Sequence, residues 1–228
     1  MPQSKPRWLA RPVLQLYGHP FSSYTWKALI ALYANGTPFA FRDLGDGDQS
    51  DQAVVAAAGP SGQFPVLRDG GTTVFEATAI IEHLDLHHPG PACLLPADPA
   101  AANRVRMWDR VFDLHVMAPM QQAVARKIAD PSLSADEARE ASRAPLLRSY
   151  AWIENWLADY DRPDSVTLVE CAAAPSLFYA DWVIDIPADC PRLRDWRSHL
   201  LALPAVKRCV DGARPFRHYF PLGAPDRD

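Results

Sequence analysis

The sequence predicts two domains, a mixed α/β domain followed by an all-helical one. Short apolar runs bounded by turn residues alternate with helical spacing as far as His88. Beyond the proline-rich segment that follows, periodic stretches have helical spacing and no strand pattern occurs. We therefore expect an α/β domain over 13–88, a linker with four prolines over 89–99, and an all-α domain over 100–220.

The first domain is predicted to follow the order β-α-β-α-β-β-α, with helices packed on a central sheet. The stretch VLQLYG is expected to form the first strand, and the next helix begins at Ser22 or Ser23 and stops at Asn35-Gly36. Apolar alternation, helical spacing and the turn at Asp69 predict the later elements. These are a strand at 38–43, a helix at 51–59, strands at 63–67 and 72–75, and a helix at 76–88.

Helix-start signals mark the second domain. Asp98 before Pro99 is typical of an N-cap followed by proline at the first helical position. A long helix is expected from there, with a bend at Pro119. Two capping boxes, Ser134 with Glu137 and Thr167 with Glu170, each predict the start of a further helix. Two shorter helices are predicted at 191–202 and 204–212.

Composition excludes several classes of protein. The 228 residues are 48% apolar and 22% charged, and acidic residues outnumber basic ones on both sides of the linker. This is ordinary for a globular protein and argues against a nucleic-acid partner. No apolar run approaches the roughly 18–20 residues of a membrane span, and the basic N-terminus lacks the apolar stretch of a secretory signal. The four cysteines fall in no CxxC pair, so we expect free thiols in a cytoplasmic protein.

Pro65 interrupts the strand-like run GQFPVL at 62–67. Proline cannot donate a ladder hydrogen bond, so it is tolerated only at the edge of a sheet or at a bulge. A strand edge that is left unpaired in this way can pair with the backbone of a ligand.

Three motifs in this order resemble the soluble glutathione transferases: SSYTWK, GQFPVL and FEATAII. The resemblance extends from about Leu14 to Phe220. It implies a thioredoxin-like N-terminal domain that binds glutathione and a helical domain that lines the site of a hydrophobic electrophile. It also implies a homodimer and a detoxification reaction with glutathione as co-substrate or cofactor. By the same resemblance the Phe64–Pro65 bond is cis, and Phe64 presents its backbone to the cysteinyl part of glutathione, with Gln63 beside it.

The resemblance identifies Ser22 as the catalytic candidate, because Lys27 follows it on the first helix as in the family's pattern. A hydroxyl that donates a hydrogen bond to sulfur stabilises the thiolate, and the helix N-terminus adds positive potential. We expect one serine to cap the helix and the other to face the sulfur, and we favour Ser22 over Ser23 for the sulfur. Tyr17 and Tyr24 are alternative phenol donors.

The resemblance assigns Glu76 to the γ-glutamyl end of glutathione, where the family has Glu-Ser. Here Ala77 follows the glutamate, so the hydroxyl that would hold the γ-glutamyl carboxylate is missing. The loop and helix over 44–58 carry only acidic charges, so the glycyl carboxylate also lacks a basic partner there. Arg7 or Arg11 is a possible compensation. Weak, millimolar binding of glutathione is therefore expected unless another residue replaces these contacts.

Four residues are expected to line the electrophile site. Phe21 precedes Ser22, while Asp113, Met117 and Gln121 share one face of the first helix of the second domain at spacings of four. The nature of the electrophile does not follow from these residues.

Two alternatives to conjugation remain. The Ser22-Ser23 pair and Trp26 resemble the zeta class, whose members isomerise maleylacetoacetate with glutathione as a cofactor. Ala77 and the acidic 44–58 region instead favour a non-catalytic ligand-binding protein. His83 and His87 lie one helical turn apart without an evident third ligand, so we expect a solvated helix face and no metal.

Overall fold

A computed structural model describes residues 13–163 and 165–228. The N-terminal domain contains four strands, β1 (Leu14–Gly18), β2 (Phe39–Asp43), β3 (Val66–Asp69) and β4 (Thr72–Phe75). The strand order in the sheet is β2-β1-β3-β4. Strand β1 runs parallel to β2 and antiparallel to β3, and β3 forms an antiparallel hairpin with β4. This mixed sheet confirms the predicted thioredoxin-like arrangement.

Three helices cover the two faces of the sheet: α1 (Ser23–Ala34), α2 (Gln49–Ala58) and α3 (Ala77–His87). Leu14 and Leu16 of β1 join the main core with α1 and α3, whereas Tyr17 packs with Val55 of α2. Successive side chains of a strand point to opposite faces, so this alternation separates the two layers.

The C-terminal region is helical. Between residues 89 and 228, leaving out residue 164, the structure contains helices and turns and no strand. Its helices are α4 (Pro99–Val111), α5 (Ala118–Ala129), α6 (Ala135–Trp156), α7 (Leu168–Val183), α8 (Pro191–Ala202) and α9 (Pro204–Ala213). Every residue of α7 is buried, so this helix forms the centre of the domain. Across the described residues, no helix is long and apolar enough to cross a lipid bilayer.

A π-helical segment, Phe112–Met117, joins α4 to α5, where the sequence predicted one α-helix with a bend at Pro119. The backbone N–H of Ala118 donates to the carbonyl of Asp113, five residues back. Pro119 has no N–H to donate, and the hydroxyl of Ser149 in α6 instead donates to the carbonyl of His115 at 2.7 Å. The wider turn changes which side chains face the N-terminal domain.

A buried ion cluster connects the two domains. Lys27 of α1 is completely buried, and its Nζ lies 2.7 Å from Asp109 Oδ1 and 2.7 Å from Asp113 Oδ1. Thr78 of α3 donates its hydroxyl to Asp109 Oδ2 at 2.8 Å, and Arg110 covers the cluster on its solvent side. Burial raises the pKa of the Asp113 carboxyl although the Lys27 charge opposes that effect.

Candidate active site

A cavity of about 840 Å³ lies between the two domains. One wall consists of residues from the loops and the helix start of the N-terminal domain: His19, Phe21, Ser22, Ser23, Tyr24, Gly62, Gln63 and Phe64. The opposite wall is largely apolar and comes from α5, α7 and the C-terminal segment: Ala118, Met120, Gln121, Val124, Ala125, Ile128, Tyr179, Tyr219, Phe220 and Pro221.

Ser22 is the N-cap of α1 and also lines the cavity. Its Oγ accepts a hydrogen bond from the backbone N–H of Thr25 at 3.2 Å, and its own N–H donates to the carbonyl of His19 at 3.0 Å. Capping uses a lone pair of the hydroxyl oxygen and leaves its proton free to be donated. We expected one serine to cap the helix and the other, Ser22, to face the sulfur. This is wrong for the cap, because Ser22 itself caps α1.

Ser23 is buried at the first position of α1, and its Oγ accepts a hydrogen bond from Gln121 Nε2 at 3.2 Å. This bond joins the wall formed by the N-terminal domain, called the polar wall below, to α5 on the opposite, apolar wall. Ser23 therefore lines the cavity beside Ser22, with its oxygen already in contact with a donor from the other domain.

The loop before Ser22 is held from two sides. Trp26 Nε1 donates to the carbonyl of Pro20 at 2.7 Å, and the hydroxyl of Tyr179 in α7 donates to the carbonyl of Phe21 at 2.9 Å. His19 Nδ1 accepts from the N–H of Phe21 at 3.1 Å, so the neutral ring carries its proton on Nε2. Neither residue was predicted: His19 lies in the loop itself but belongs to no recognised motif, and Tyr179 reaches the loop only through the tertiary fold.

Of the two tyrosine alternatives, Tyr17 is excluded by its position. Its side chain is buried on the α2 face of the sheet and its hydroxyl donates to Gln15 at 2.9 Å. Tyr24 does line the cavity. Burial, reinforced by the nearby Asp113 and Glu76 carboxylates, raises the pKa of Tyr24 to about 12, so its phenol stays protonated at neutral pH.

Phe64 and Gln63 lie on the cavity wall, directly before β3. The Phe64–Pro65 peptide bond is cis, as the resemblance implied. Pro65 is buried and lies just outside the strand, which begins at Val66. The strand predicted over 63–67 therefore starts later, and residues 63 and 64 keep their backbone outside the β3 ladder.

Glu76 is the N-cap of α3 and has a backbone φ of 69°. It is the only non-glycine residue with positive φ in the described part of the chain. Such a conformation costs of the order of 1–3 kcal/mol and is commonest at ligand sites. The Glu76 side chain is exposed, while Ala77 is buried, and neither belongs to the cavity wall itself. The hydroxyl of Thr78 is engaged in the Lys27 cluster and does not replace the missing serine hydroxyl.

Two of the four residues expected at the electrophile site do not reach the cavity. Asp113 is held in the Lys27 cluster, and Met117 is fully buried in the core. The predicted spacing assumed a continuous α-helix, whereas the π-helical segment shifts the register between residues 112 and 117. Phe21 and Gln121 do line the cavity.

The cavity is poor in positive charge. Among its described lining residues there is no lysine or arginine, and His19 is the single basic side chain. Arg7 and Arg11, the two arginines that the sequence offers as partners for the carboxylates of glutathione, lie outside the described residues. The wall formed by the C-terminal region therefore suits an uncharged, apolar group better than a carboxylate.

The chain is similar to known proteins along most of its length. Residues 16–92 match the family model of the glutathione S-transferase N-terminal domain. Glutathione S-transferase 4 of Zea mays is 34% identical over 226 residues, covering 95% of this chain and 97% of the relative. Maleylacetoacetate isomerase of Rattus norvegicus is 26% identical over 201 residues, covering 86% of this chain and 91% of the relative. A crystal structure of a glutathione S-transferase from Methylobacterium radiotolerans, in complex with glutathione sulfonate, is 27% identical and aligns with a TM-score of 0.71, covering 86% of this chain and 94% of that one.

Proposed function

The chain belongs to the glutathione S-transferase family, and we propose that it transfers the glutathione thiol to an uncharged, apolar electrophile. Residues 13–88 bind glutathione in this proposal, and residues 100–220 supply the wall that receives the electrophile. The observation that carries it is the position of Ser22. Its hydroxyl oxygen is fixed at the start of α1, on the wall of a cavity whose other side is apolar.

The chemistry proposed for Ser22 is stabilisation of the thiolate. A free thiol has a pKa near ~8.5, so most glutathione is protonated at neutral pH. The Ser22 proton donates to the sulfur, and the N-terminus of α1 contributes about half a positive charge. The thiol proton passes to solvent, and the sulfur forms a bond to the electrophilic carbon. In a displacement the leaving group departs with its electron pair; in an addition to an unsaturated ketone the C=C π bond breaks and the resulting enolate takes up a proton from solvent.

Glutathione is proposed to lie along the polar wall. The backbone of Phe64 lies outside the β3 ladder and is available to pair with the cysteinyl unit, beside the side chain of Gln63. The carboxylate of Glu76 would pair with the free amine of the γ-glutamyl group. The strained backbone of Glu76 supports a binding role, because such strain persists where the surroundings impose it.

The electrophile class is argued from the apolar wall. Met120, Val124 and Phe220 offer hydrocarbon surface and no charged partner to a second substrate. A carboxylate placed there would lose hydration without a compensating hydrogen bond. Aromatic chlorides and unsaturated ketones without an acidic group have the required chemistry.

A second candidate is the isomerase reaction, since the rat relative bears that name. Maleylacetoacetate carries two carboxylates, and a site for it needs donors that can hold them. Within the described residues, the donors on the cavity wall include Gln121, the two serines and the single basic side chain His19, with no lysine or arginine to pair with the two carboxylates. We rank it below conjugation for this reason.

We also propose a homodimer, as the family resemblance implies. Large apolar side chains remain exposed on β4, α3 and α4 and in the π-helical segment: Phe75, Leu86, Met107 and Leu114. Burying such groups at an interface removes apolar surface from water. Light scattering after size exclusion tests this directly, and a mass of one chain at micromolar concentration would contradict it.

Two measurements test the function. Calorimetric titration with glutathione should give one site per chain, and absence of binding would favour the non-catalytic alternative. Turnover is then compared between 1-chloro-2,4-dinitrobenzene and a maleyl dicarboxylate. We expect conjugation of the neutral aromatic substrate; isomerisation of the dicarboxylate without net consumption of glutathione would establish the second candidate instead.

A further inference from the structure

Three side chains that take no part in the proposed reaction converge at the C-terminal end of α3. His83 Nε2 lies 3.0 Å from Asp69 Oδ2, and His88 Nε2 lies 2.7 Å from the same oxygen. One potential ligand atom from each of the three residues lies within 4.8 Å of the other two. The sequence predicted a solvated helix face at His83 and His87 without a third ligand. This is wrong for His83, whose side chain is only 13% exposed and lies beside Asp69 and His88.

The backbone explains the convergence. Residues five positions apart on a regular α-helix point about 140° away from each other, so His83 and His88 would diverge if the helix continued. Helix α3 ends at His87, and His88 takes φ −136° and ψ 50°, which returns its ring to the side of His83. Asp69 ends β3 directly before a tight turn in which Gly70 has a φ of 59°.

We propose that Asp69, His83 and His88 bind a divalent transition-metal ion, with Zn²⁺ fitting the donor set best. Two imidazole nitrogens and one carboxylate oxygen are common zinc ligands, and a water completes a tetrahedron. Calcium and magnesium prefer oxygen donors throughout. At Zn²⁺ bond lengths of about 2.0–2.2 Å, tetrahedral ligand atoms lie about 3.3 Å apart, so the two contacts to Asp69 need to open by only about half an ångström.

The three side chains are positioned before any ion arrives. Asp69, His83 and His88 keep side-chain exposures of 20%, 13% and 17%, so the cluster is ordered yet open to solvent. The His87 ring packs against the His83 ring with centroids 4.5 Å apart and planes inclined at 48°, but His87 contributes no atom to the converging set.

Bound metal would fasten the β3–β4 hairpin to the end of α3 within the N-terminal domain. Because the folded chain arranges the three ligands and the unfolded chain does not, binding favours the folded state. We therefore expect the midpoint of thermal unfolding to rise with zinc concentration. The rise should disappear when any of the three ligands is replaced.

The test uses the full-length, untagged chain, treated with a chelator, dialysed and kept free of glutathione. Calorimetric titration with Zn²⁺ should give one ion per chain in the wild type. Asp69→Asn, His83→Gln and His88→Gln should each weaken binding at least ~10-fold. Two variants serve as matched controls, His87→Gln on the same helix turn and Cys93→Ser at an exposed thiol, and both should keep the wild-type affinity.

Cobalt gives an independent readout. Co²⁺ added to the wild type should produce the visible absorption bands of tetrahedral coordination, and Asp69→Asn should lose them. No saturable Zn²⁺ binding by the wild type at up to 100 µM metal would overturn the proposal. So would equal affinity in the wild type and the three ligand variants, or a loss confined to His87→Gln or Cys93→Ser. Circular dichroism confirms folding, and any one folded ligand variant is sufficient for the comparison.

Discussion

The two walls of the cavity are built on different physical principles. The N-terminal wall consists of hydroxyl groups and backbone held by directed hydrogen bonds, with Ser22 fixed by Thr25 and by the carbonyl of His19. The C-terminal wall is largely hydrocarbon surface, in which the side chains of Val124 and Phe220 are placed by apolar packing. Directed bonds tolerate little displacement, whereas apolar packing accepts changes of shape at modest cost. The first wall therefore suits one invariant ligand and the second suits electrophiles of varied shape.

Lys27 connects the two domains that carry these walls, and replacing it should have the largest effect. Lys27→Met would leave Asp109 and Asp113 buried without their central counter-ion. Removing one partner of a buried ion pair costs about 3–5 kcal/mol in the free energy of unfolding. Chemical denaturation monitored by tryptophan fluorescence measures this loss.

The exposed pair formed by Lys207 with Asp211 provides the control, and Lys207→Met should change stability by less than ~1 kcal/mol. The deficit of Lys27→Met should also depend on pH. Burial raises the pKa of Asp113, and loss of Lys27 raises it further, so the folded state gains relative stability when this carboxyl is protonated. The deficit should therefore shrink as pH falls. A Lys27→Met variant as stable as the wild type would refute the assigned role of the cluster.

The polar wall was largely predictable because its signals are local. Two serines at a helix start and a proline within a strand-like run can be recognised from a few adjacent residues. Ser22, Gln63 and Phe64 lie on the cavity as expected. The identity of the capping serine was predicted wrongly, since either residue satisfies the same local pattern.

The apolar wall and the histidine cluster were not predictable in the same way. A π-helical segment depends on tertiary packing, and its wider turn displaced Asp113 and Met117 from the expected face. The hydroxyl of Tyr179 donates to the carbonyl of Phe21, although the two residues are 158 positions apart in sequence. His88 joins His83 only because α3 ends where it does. Each of these features depends on contacts that no local pattern records.

Ser22→Ala tests whether the polar wall acts through a hydrogen bond from the Ser22 hydroxyl to the sulfur of glutathione. If the Ser22 hydroxyl stabilises the thiolate, kcat/KM for a neutral aromatic chloride should fall at least ~10-fold, which is about 1.4 kcal/mol of barrier. The apparent pKa of bound glutathione, followed by thiolate absorbance, should rise. Because Ser22 is also the N-cap, unfolding should become easier by about 1 kcal/mol.

Ser23→Ala is the matched control for that variant. It should keep most of the activity and leave the cap intact, although it removes the acceptor of Gln121. A fully active Ser22→Ala together with an inactive Ser23→Ala would assign the thiol contact to Ser23. Loss of activity in Tyr24→Phe alone would assign it to the phenol of Tyr24.

Ala77→Ser sharpens the comparison by adding one directed contact near the polar wall. The new hydroxyl would lie in the first turn of α3, where the γ-glutamyl carboxylate is proposed to arrive. A hydrogen bond to a charged group contributes about 1.5–3 kcal/mol, so glutathione should bind roughly tenfold more tightly than the millimolar affinity expected for the wild type. Calorimetry decides the outcome. Micromolar binding by the wild type, or no gain in the variant, would mean that another residue already holds this carboxylate.

Val124→Ala should give the smallest effect, and it acts on the other wall. Val124 is half-buried on α5 and lines the cavity. Val124→Ala removes two methyl carbons, and we expect one of them to contact the substrate because Val124 is only half-buried. At about 0.8 kcal/mol for one buried carbon, kcat/KM for a neutral aromatic electrophile should fall about fourfold. The affinity for glutathione should stay unchanged, since the polar wall is intact. Val105→Ala, at a half-buried valine of α4 outside the cavity, should leave both quantities unchanged. If Val124→Ala instead weakened glutathione binding as much as it slowed turnover, the two walls would not act separately, because a change in apolar packing would then disturb the hydrogen-bonded side.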